Sequence, residues 1–266
     1  MTQSLRFDSH VISDTGLVRE QNEDDSLVMD EHGLFVVADG MGGHNCGEVA
    51  SMIAVKSLGE FFSNPDITDG IRDLYEELKQ TEETEGMSGF HEFRLRSAIE
   101  YGNLQIFRKA HEDPELEDMG TTLVSIAFVG SRVYVGHVGD SRAYRYRGDE
   151  LVQLTEDHSL ANEYIKLNLL RREDLPYFPY KNVIVRALGL QEEVEVDTHF
   201  RTCRPGDRFL LCSDGLTDLV SDDHIASVLA KETDPKKVCD RLLTLALDRG
   251  GVDNITALIV NVNGDS

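Results

Sequence analysis

Three apolar stretches of this chain each lead into an aspartate. Short apolar runs bounded by glycine or polar residues are typical of buried β-strands. A single Asp-Gly or Asp-Ser step after a strand is an ordinary turn and says little by itself. Repeated three times, with Asp253-Asn254 at the entry to the last apolar run, the pattern predicts strand ends that bring carboxylates to one rim of a sheet. The runs and their aspartates are 35–38 with Asp39, 134–138 with Asp140, and 209–212 with Asp214.

Carboxylates gathered at one rim need a physical explanation, because their mutual repulsion either raises their pKa values steeply or is relieved by a bound cation. Carboxylate oxygens and water are the ligands of Mg²⁺ and Mn²⁺, whereas zinc favours histidine and cysteine. The sequence therefore predicts a two-metal site. Two such ions, roughly 3.5–4 Å apart, lower the pKa of a bridging water and hold the oxygens of a phosphoryl group for in-line attack.

A polar segment near the N-terminus places an arginine beside further acids. Arg19 is followed by Glu23 and Asp24. The planar guanidinium fork of arginine suits bidentate binding of a phosphate. The segment is therefore either part of a phosphate site or a solvated loop.

The order of the predicted elements excludes a regular alternation of strands and helices. Helical periodicity and helix-start signals alternate with short apolar runs and turn residues along the chain. This order predicts an α+β fold with layered antiparallel sheets. The predicted strands are 6–14, 26–30, 34–38, 121–129, 132–138, 142–146, 151–154, 183–186, 195–201, 208–212 and 255–262, and the predicted helices are 47–62, 68–83, 90–111, 222–230 and 234–248.

Length, charge and cysteine usage narrow the class of protein. The 266 residues suit a single domain, and a net charge of −23 repels nucleic-acid backbones and anionic lipid surfaces. The cysteines show neither zinc-ligand spacing nor a disulfide pattern, which favours a reducing compartment. No apolar run reaches the roughly 18 residues needed to span a bilayer, and no secretion signal begins the chain. We therefore expect a cytoplasmic protein that binds neither nucleic acid nor membrane.

Several motifs together resemble one family. In their order and spacing they are similar to those of the metal-dependent, type 2C (PPM) protein serine/threonine phosphatases, and within these to the bacterial branch. The resemblance extends over about residues 7–262. The motifs are Arg19-x-x-Asn22-Glu23-Asp24, Ala38-Asp39-Gly40-Met41-Gly42-Gly43-His44, Gly120-Thr121-Thr122-Leu123, Gly139-Asp140-Ser141-Arg142, Ser213-Asp214-Gly215-Leu216 and Asp253-Asn254-Ile255-Thr256.

The resemblance implies a fold and a domain organisation. The fold would be a four-layer α-β-β-α sandwich, in which helix pairs flank two antiparallel β-sheets and the metal site lies at one end. Residues 1–266 would form a single phosphatase catalytic domain, with a flap subdomain at about 155–189. Within the flap, the aromatic stretch 175–180 either contacts phosphoproteins or pins the flap to the sheet. The acidic segment 66–85 is better explained as a solvated helix face than as a binding element.

The resemblance also implies roles for individual residues. Asp39 would bridge two tightly bound Mn²⁺ or Mg²⁺ ions, and the carbonyl of Gly40 would bind one of them. Asp214 and Asp253 would hold the other ion, while Asp24, with Glu23 beside it, would act through bound water. Asp140 would join Asp214 in holding a third, weaker ion. Arg19 would bind the substrate phosphate.

The histidine of the second motif has no role fixed by the resemblance. Animal relatives have histidine directly after the Asp-Gly, where it protonates the leaving alkoxide. Here Met41 occupies that position and the histidine follows at His44. His44 would therefore protonate the leaving group, orient a metal-bound water or be structural, and a metal-bound water is an alternative acid.

The function implied is hydrolysis of phosphoserine and phosphothreonine on proteins by in-line attack of a metal-bridging hydroxide, which reverses serine/threonine kinase signalling. No Cys-x5-Arg sequence is present, which excludes the cysteine-phosphatase mechanism. The expected partners are phosphorylated bacterial proteins and a cognate serine/threonine kinase, and the expected state is a monomer. Two alternatives are a non-catalytic relative that only recognises phosphoproteins and a different two-metal hydrolase, such as a nuclease or nucleotide phosphohydrolase.

Overall fold

The structure, a computed structural model, describes residues 5–42, 46–79 and 87–264. Within these residues the chain alternates between groups of strands and groups of helices. The strands are β1 (Leu5–Asp14), β2 (Asp24–Met29), β3 (Leu34–Met41), β4 (Gly120–Thr121), β5 (Leu123–Val129), β6 (Arg132–Val138), β7 (Arg142–Arg147), β8 (Glu150–Gln153), β9 (Asp197–Thr202), β10 (Arg208–Cys212) and β11 (Ile255–Gly264).

Two helices begin at a side-chain cap followed by proline. Asn64 and Asp234 each precede a proline, and each side chain accepts a hydrogen bond from the backbone two residues on, at 2.9 Å. Proline at the first helical position costs no hydrogen bond, so the Asn-Pro and Asp-Pro steps fix two helix starts. The helices are α1 (Cys46–Ser63), α2 (Pro65–Leu78), α3 (Phe90–Glu112), α4 (Leu160–Lys166), α5 (Asp214–Thr217), α6 (Asp222–Lys231) and α7 (Pro235–Leu247), with 3₁₀ turns at Asp30–His32, Pro114–Leu116 and Arg172–Tyr177.

The strands form two antiparallel sheets. The first has the order β1-β11-β10-β7-β8 and the second the order β2-β3-β5-β6-β9, with β4 paired to the end of β3. The first and last strands pair along their whole length, from Leu5 opposite Gly264 to Asp14 opposite Ile255. Helices α1 and α3 pack on the second sheet, and α6 and α7 pack on the first. The predicted four-layer α-β-β-α sandwich is confirmed.

Central strands are buried on both faces, which explains their continuous apolar sequences. In β3, Leu34 and Val36 face the helix layer, while Phe35 and Val37 face the other sheet. The same alternation occurs in β10, where Leu210 faces the helices and its neighbours face the sandwich interior. Because neither face meets water, such strands lack the alternation of polar and apolar residues that marks a half-exposed sheet. The polar residues therefore lie at the strand ends, where the candidate site is found.

A long excursion connects β8 to β9. It contains α4 and the 3₁₀ turn Arg172–Tyr177, but the predicted strand at 183–186 is wrong. Ile184 makes only an isolated bridge with Ser159. Val183 and Val185 are exposed, so this short apolar run has no sheet to join and forms a loop instead.

The acidic segment 66–85 was predicted to be a solvated helix face. Part of it lies in α2, whose side chains are partly or fully exposed. Its residues 80–85 lie outside the described part of the chain. In the part of the chain that the structure describes, no helix combines the length and apolar character required to cross a membrane.

Candidate metal centre

The fold brings the predicted aspartates to one end of the sandwich. Asp24 and Asp39 lie directly opposite each other on β2 and β3. Asp214 is the first residue of α5, immediately beyond β10, and Asp253 lies in the loop that enters β11. Asp140 follows β6. The charges of Asp24, Asp214, Asp140 and Asp253 all act on the carboxyl of Asp39, a half-buried residue that therefore lies at the centre of the group.

Polar side chains hold these carboxylates in place. The hydroxyl of Ser213 donates to Oδ2 of Asp24 at 2.8 Å and accepts from the backbone N–H of Thr256 at 2.9 Å. The amide of Asn254 accepts from the backbone of Glu23 at 2.9 Å and donates to the carbonyl of Gln21 at 2.8 Å. The Ser-Asp-Gly and Asp-Asn motifs therefore fix the N-terminal acidic segment against β10 and β11.

A second network links Asp39 to the segment that carries Asp140. The backbone N–H of Thr122 donates to the carbonyl of Asp39 at 2.8 Å, and the backbone N–H of Asp39 donates to the Thr122 hydroxyl at 3.2 Å. That hydroxyl shares a hydrogen bond of 2.7 Å with the hydroxyl of Ser141. The Gly-Thr-Thr motif thus connects two carboxylates that are far apart in sequence.

Glycines next to the aspartates allow backbones to approach closely. A Cβ atom at Gly40 would lie 2.1 Å from the carbonyl oxygen of Gly47 in α1. A Cβ atom at Gly215 would lie 2.0 Å from the carbonyl oxygen of Asn254. Both neighbours are backbone atoms that cannot rotate away, so any larger residue must push apart the segments that hold the carboxylates.

We expect Gly215→Ala to lower the free energy of unfolding by about 3 kcal/mol, because the added methyl group must separate α5 from the loop before β11. Urea denaturation measures this change. Gly70→Ala is the matched control, since a Cβ there meets nothing within 4 Å. This second change lies in the middle of α2 and should raise the free energy of unfolding by roughly 0.5–1 kcal/mol. A Gly215→Ala protein as stable as the wild type would contradict the close-approach explanation.

Burial and mutual repulsion shift the titration of these carboxyls. Burial, reinforced by the neighbouring carboxylates, raises the pKa of Asp24 to about 6, that of Asp140 to about 7 and that of Asp214 to about 8. The same causes raise the pKa of Asp39 well above its ordinary value. A cluster held in this state is poised to bind a cation, because a positive charge relieves both the repulsion and the lost hydration.

Two oxygens in the cluster have no partner among the described residues. They are Oδ1 of Asp24 and Oδ1 of Asp140, and both are buried. Buried carboxylate oxygens are normally hydrogen-bonded or ligated. The donor set of this centre is made of carboxylate oxygens, which fits Mg²⁺ or Mn²⁺ rather than zinc.

The remaining predicted residues lie around this centre. Arg19 is half exposed and donates from Nη2 to Oδ2 of Asp253 at 2.7 Å, a contact that raises the pKa of its guanidinium. Burial raises the pKa of Glu23, whose carboxylate accepts a hydrogen bond from the backbone of Gly47. His44 lies outside the described residues.

Comparison with known proteins identifies the family. The sequence model of the family Protein phosphatase 2C matches residues 17–237. The chain belongs to the protein phosphatase 2C family. It is 38% identical over 254 residues to the serine/threonine phosphatase stp of Listeria welshimeri, with 94% of each chain covered. The resemblance inferred from the motifs is therefore confirmed.

Solved structures of this family agree with the fold. The crystal structure of the Mycobacterium tuberculosis serine/threonine phosphatase PstP/Ppp has a TM-score of 0.83 at 36% identity, and the match covers 97% of this chain and 99% of that chain. The catalytic domain of PstP in complex with 2 manganese ions has a TM-score of 0.81 at 35% identity, with 98% of this chain and 100% of that chain covered. The structural match to these phosphatases thus extends over nearly the whole chain.

The phosphatase 2C fold also places a carboxylate at the centre that the sequence analysis missed. Asp218 caps the end of α5 and raises the pKa of both Asp140 and Asp214. Its Oδ2 accepts from Nζ of Lys181 at 3.1 Å and from Nδ2 of Asn182 at 2.9 Å, both in the excursion after β8. Asp218 lies four residues after Asp214, which is about one helical turn. This spacing is the feature of the sequence from which it could have been predicted.

A cavity of about 720 Å³ opens beside this part of the centre. It is lined by Asp140 and Asp214 on one side, and by excursion residues that include Arg172 and Lys181 on the other. In the aromatic stretch 175–180, Phe178 packs on Tyr164 of α4, whereas Tyr177 is 87% exposed. The cavity is therefore acidic on the side of Asp140 and Asp214, whereas its excursion wall carries charges of both signs, since Glu156 and Asp157 line it together with Arg172 and Lys181.

Proposed function

We propose that this member of the phosphatase 2C family hydrolyses phosphoserine and phosphothreonine on proteins with the help of Mn²⁺ or Mg²⁺. One observation carries the proposal. Buried and half-buried, mutually repelling carboxylates with raised pKa values and unpartnered oxygens converge at one end of the sandwich, within reach of a half-exposed arginine. A cation-loaded carboxylate centre beside an arginine suits a doubly charged phosphate ester and has no use in binding a neutral ligand.

The residues of the centre fit the following roles. Asp39 and the carbonyl of Gly40 would hold the tightly bound ions together with Asp214 and Asp253. Asp24 and Glu23 would contribute through water, and Asp140 would share a weaker ion with Asp214. When bound, such ions supply a water of lowered pKa as the nucleophile and positive charge for the phosphoryl oxygens.

The protein's own groups orient the reactants. Arg19 has a guanidinium edge open to solvent, so it would bind phosphate oxygens of the substrate while its Nη2 remains near Asp253. Ser213 and Asn254 hold the acidic segments in register. The proton for the leaving hydroxyl would come from His44 or from a metal-bound water.

Wider features of the function follow from the same family membership. Residues 1–266 would act as one catalytic domain, with residues 155–189 as its flap, because that segment lines the cavity beside Asp140 and Asp214. All four cysteines are buried and unpaired, which suits a reducing cytoplasm. We expect a monomer that opposes a serine/threonine kinase in signalling, in a bacterial cell.

The test is release of phosphate from a phosphothreonine peptide by the purified chain with Mn²⁺, with Mg²⁺ and with a chelator. We expect turnover with either ion and none with the chelator. Arg19→Ala should lower kcat/KM by about tenfold to a hundredfold, because a charge-assisted bidentate contact to phosphate is lost. Arg19→Lys should recover only part of that loss, since lysine lacks the planar fork.

The alternatives give different results in the same assay. A non-catalytic relative would bind the phosphopeptide and release no phosphate with any metal. A nuclease or nucleotide phosphohydrolase would cleave DNA or a nucleoside triphosphate in preference to the peptide. Either outcome would contradict the proposed function and support the corresponding alternative.

A further inference from the structure

The turn that carries Asp140 is held by the first residues of the flap. The backbone N–H of His158 donates to the carbonyl of Gly139 at 2.9 Å. In the opposite direction, the backbone N–H of Gly139 donates to Nδ1 of His158 at 3.0 Å. His158 is almost fully buried, so both hydrogen bonds are shielded from water. One histidine therefore holds both polar groups of the residue that precedes Asp140.

The residue before His158 holds the other side of the same turn. Asp157 accepts from Arg142, at 2.9 and 3.0 Å from Nε and at 2.6 Å from Nη2. Arg142 is the second residue after Asp140. Asp157 and His158 thus form hydrogen bonds with residues on both sides of Asp140. Oδ1 of Asp140 itself has no hydrogen-bond partner among the described residues.

The far edge of the His158 ring faces Asp197 of β9, which in turn pairs with Arg186 at the other end of the flap. Because Nδ1 accepts a hydrogen bond, the neutral ring carries its proton on Nε2, which lies 3.4 Å from Oδ2 of Asp197. The imidazole and Arg186 hold the pKa of Asp197 well below its ordinary value. Arg186 itself donates to Asp197 at 3.0 Å, and the backbone N–H of Val185 donates to the carbonyl of His158 at 2.9 Å.

His137, His158 and Asp197 form a cluster with the donor atoms of a transition-metal site. Their ligand atoms lie within 4.8 Å of one another. Its geometry does not suit a cation. The two imidazole rings are stacked, with centroids 4.7 Å apart and planes inclined by 23°, so one ion cannot lie in both ring planes. In addition, Nη1 of Arg186 lies 3.2 Å from Nε2 of His158 and already supplies the positive charge.

We propose that His158 is a positioning residue. It orients Asp140 to bind its cation and links that site to both ends of the flap. The inference rests on the proposed function, because it assigns Asp140 to the weaker metal site. His158 touches neither substrate nor metal in this scheme. It acts through Gly139, which has a positive φ of 102° and lies so close to Thr122 that an added Cβ atom would clash with that side chain.

The experiment is direct measurement of Mn²⁺ binding, by electron paramagnetic resonance of the free ion, for the wild type and variants of the full chain. We expect His158→Ala to weaken the weakest class of Mn²⁺ site by about tenfold, as for the loss of a buried hydrogen bond that holds a ligand. Asp140→Asn should abolish the same class. The tighter classes should keep their wild-type affinities in His158→Ala.

Two amide substitutions separate positioning from mere stability. In His158→Asn the side-chain oxygen takes the place of Nδ1 and can accept from Gly139, whereas in His158→Gln the amide reaches only the place of Nε2. We expect His158→Asn to stay within about threefold of wild type and His158→Gln to behave like His158→Ala. The comparison of His158→Asn with His158→Gln tests the positioning role of His158 even if His158→Ala does not fold.

His199→Ala is the matched control, because it removes a different imidazole, half-buried in β9 and two residues from Asp197, that lies outside the Gly139 turn. Its Mn²⁺ isotherm should equal that of the wild type. Equal affinities for His158→Asn and His158→Gln, or a wild-type isotherm for His158→Ala, would overturn the inference, as would the absence of a weak site in the wild type. Failure of the proposed function is seen separately, as a wild type that binds Mn²⁺ without releasing phosphate.

Discussion

We expect Asp39→Asn to lose at least about a thousandfold in metal-dependent kcat/KM, while its metal-free form becomes more stable than the wild type by about 1–2 kcal/mol. The two effects have one origin. Asp39 lies at the centre of the carboxylates, where burial and like charges raise its pKa. An uncharged amide removes that repulsion in the absence of metal, and removes the charge that the ions need when they are present.

Phosphate release from a phosphothreonine peptide and urea denaturation in chelator measure the two effects. The opposite signs matter because a variant that loses activity by unfolding would also lose stability. An Asp39→Asn protein that is inactive and less stable than the wild type would mean that the aspartate supports the fold rather than a metal site.

A buried aspartate elsewhere provides the matched control. Asp207 is fully buried but forms an ion pair with Arg147 and accepts from the backbone of Arg204 at 2.9 Å. Removing one partner of a buried ion pair leaves the other uncompensated. Asp207→Asn should therefore lower the free energy of unfolding by about 3 kcal/mol and leave kcat/KM unchanged, which is the reverse of the Asp39→Asn result.

The sequence predicts much of this centre because its information is local. An apolar run predicts a buried strand, and the polar residue that ends the run is then expected at the rim of the sheet. Asp39, Asp140 and Asp214 all follow that rule, and the structure brings them together. The predicted strand at 183–186 is wrong because a similar apolar run occurs there without a neighbouring strand to pair with.

The missed features depend on packing between distant segments. The contact of His158 with Gly139 and that of Lys181 with Asp218 join the flap to the sandwich. Nothing in the local sequence of the flap says which loop it will contact, because that choice is made by tertiary packing. The raised pKa values have the same cause, since burial and proximity exist only in the folded chain.

The metal-free protein should lose stability as the pH rises from 6.5 to 8.0. Burial raises the pKa of Asp140 to about 7 and that of Asp214 to about 8. In the unfolded chain these carboxyls are ionised throughout this range, whereas the native state still holds their protons at its lower end. The native state must therefore release protons as the pH rises, and the free energy of unfolding should fall by about 2 kcal/mol.

Other shifted groups act in the same range. Burial and the neighbouring carboxylates raise the pKa of Asp39 well above its ordinary value, so this carboxyl adds to the loss of stability. Burial lowers the pKa of His137 to about 4 and also lowers those of His91 and His199. Their effect on stability has the opposite sign and fades above the ordinary histidine pKa of about 6.5.

The buried thiols matter only at the upper end of the range. Burial raises the pKa of Cys203, Cys212 and Cys239 to about 12, and these affect stability only near and above the ordinary thiol pKa of about 8.5.

Thermal denaturation in chelator measures the effect as a decrease of roughly 4–8 °C in Tm between pH 6.5 and 8.0. Asp214→Asn should flatten part of this dependence, because it removes a buried carboxyl whose pKa of about 8 keeps it protonated over most of the range. Saturating Mn²⁺ should raise Tm most at pH 8.0, where the ions no longer compete with protons for the carboxylates. A Tm that is constant with pH in chelator, or that shows the same slope in Asp214→Asn, would mean that the carboxyls are already ionised at pH 6.5. The repulsion that we assign to the metal-free centre would then be relieved by some means other than protonation.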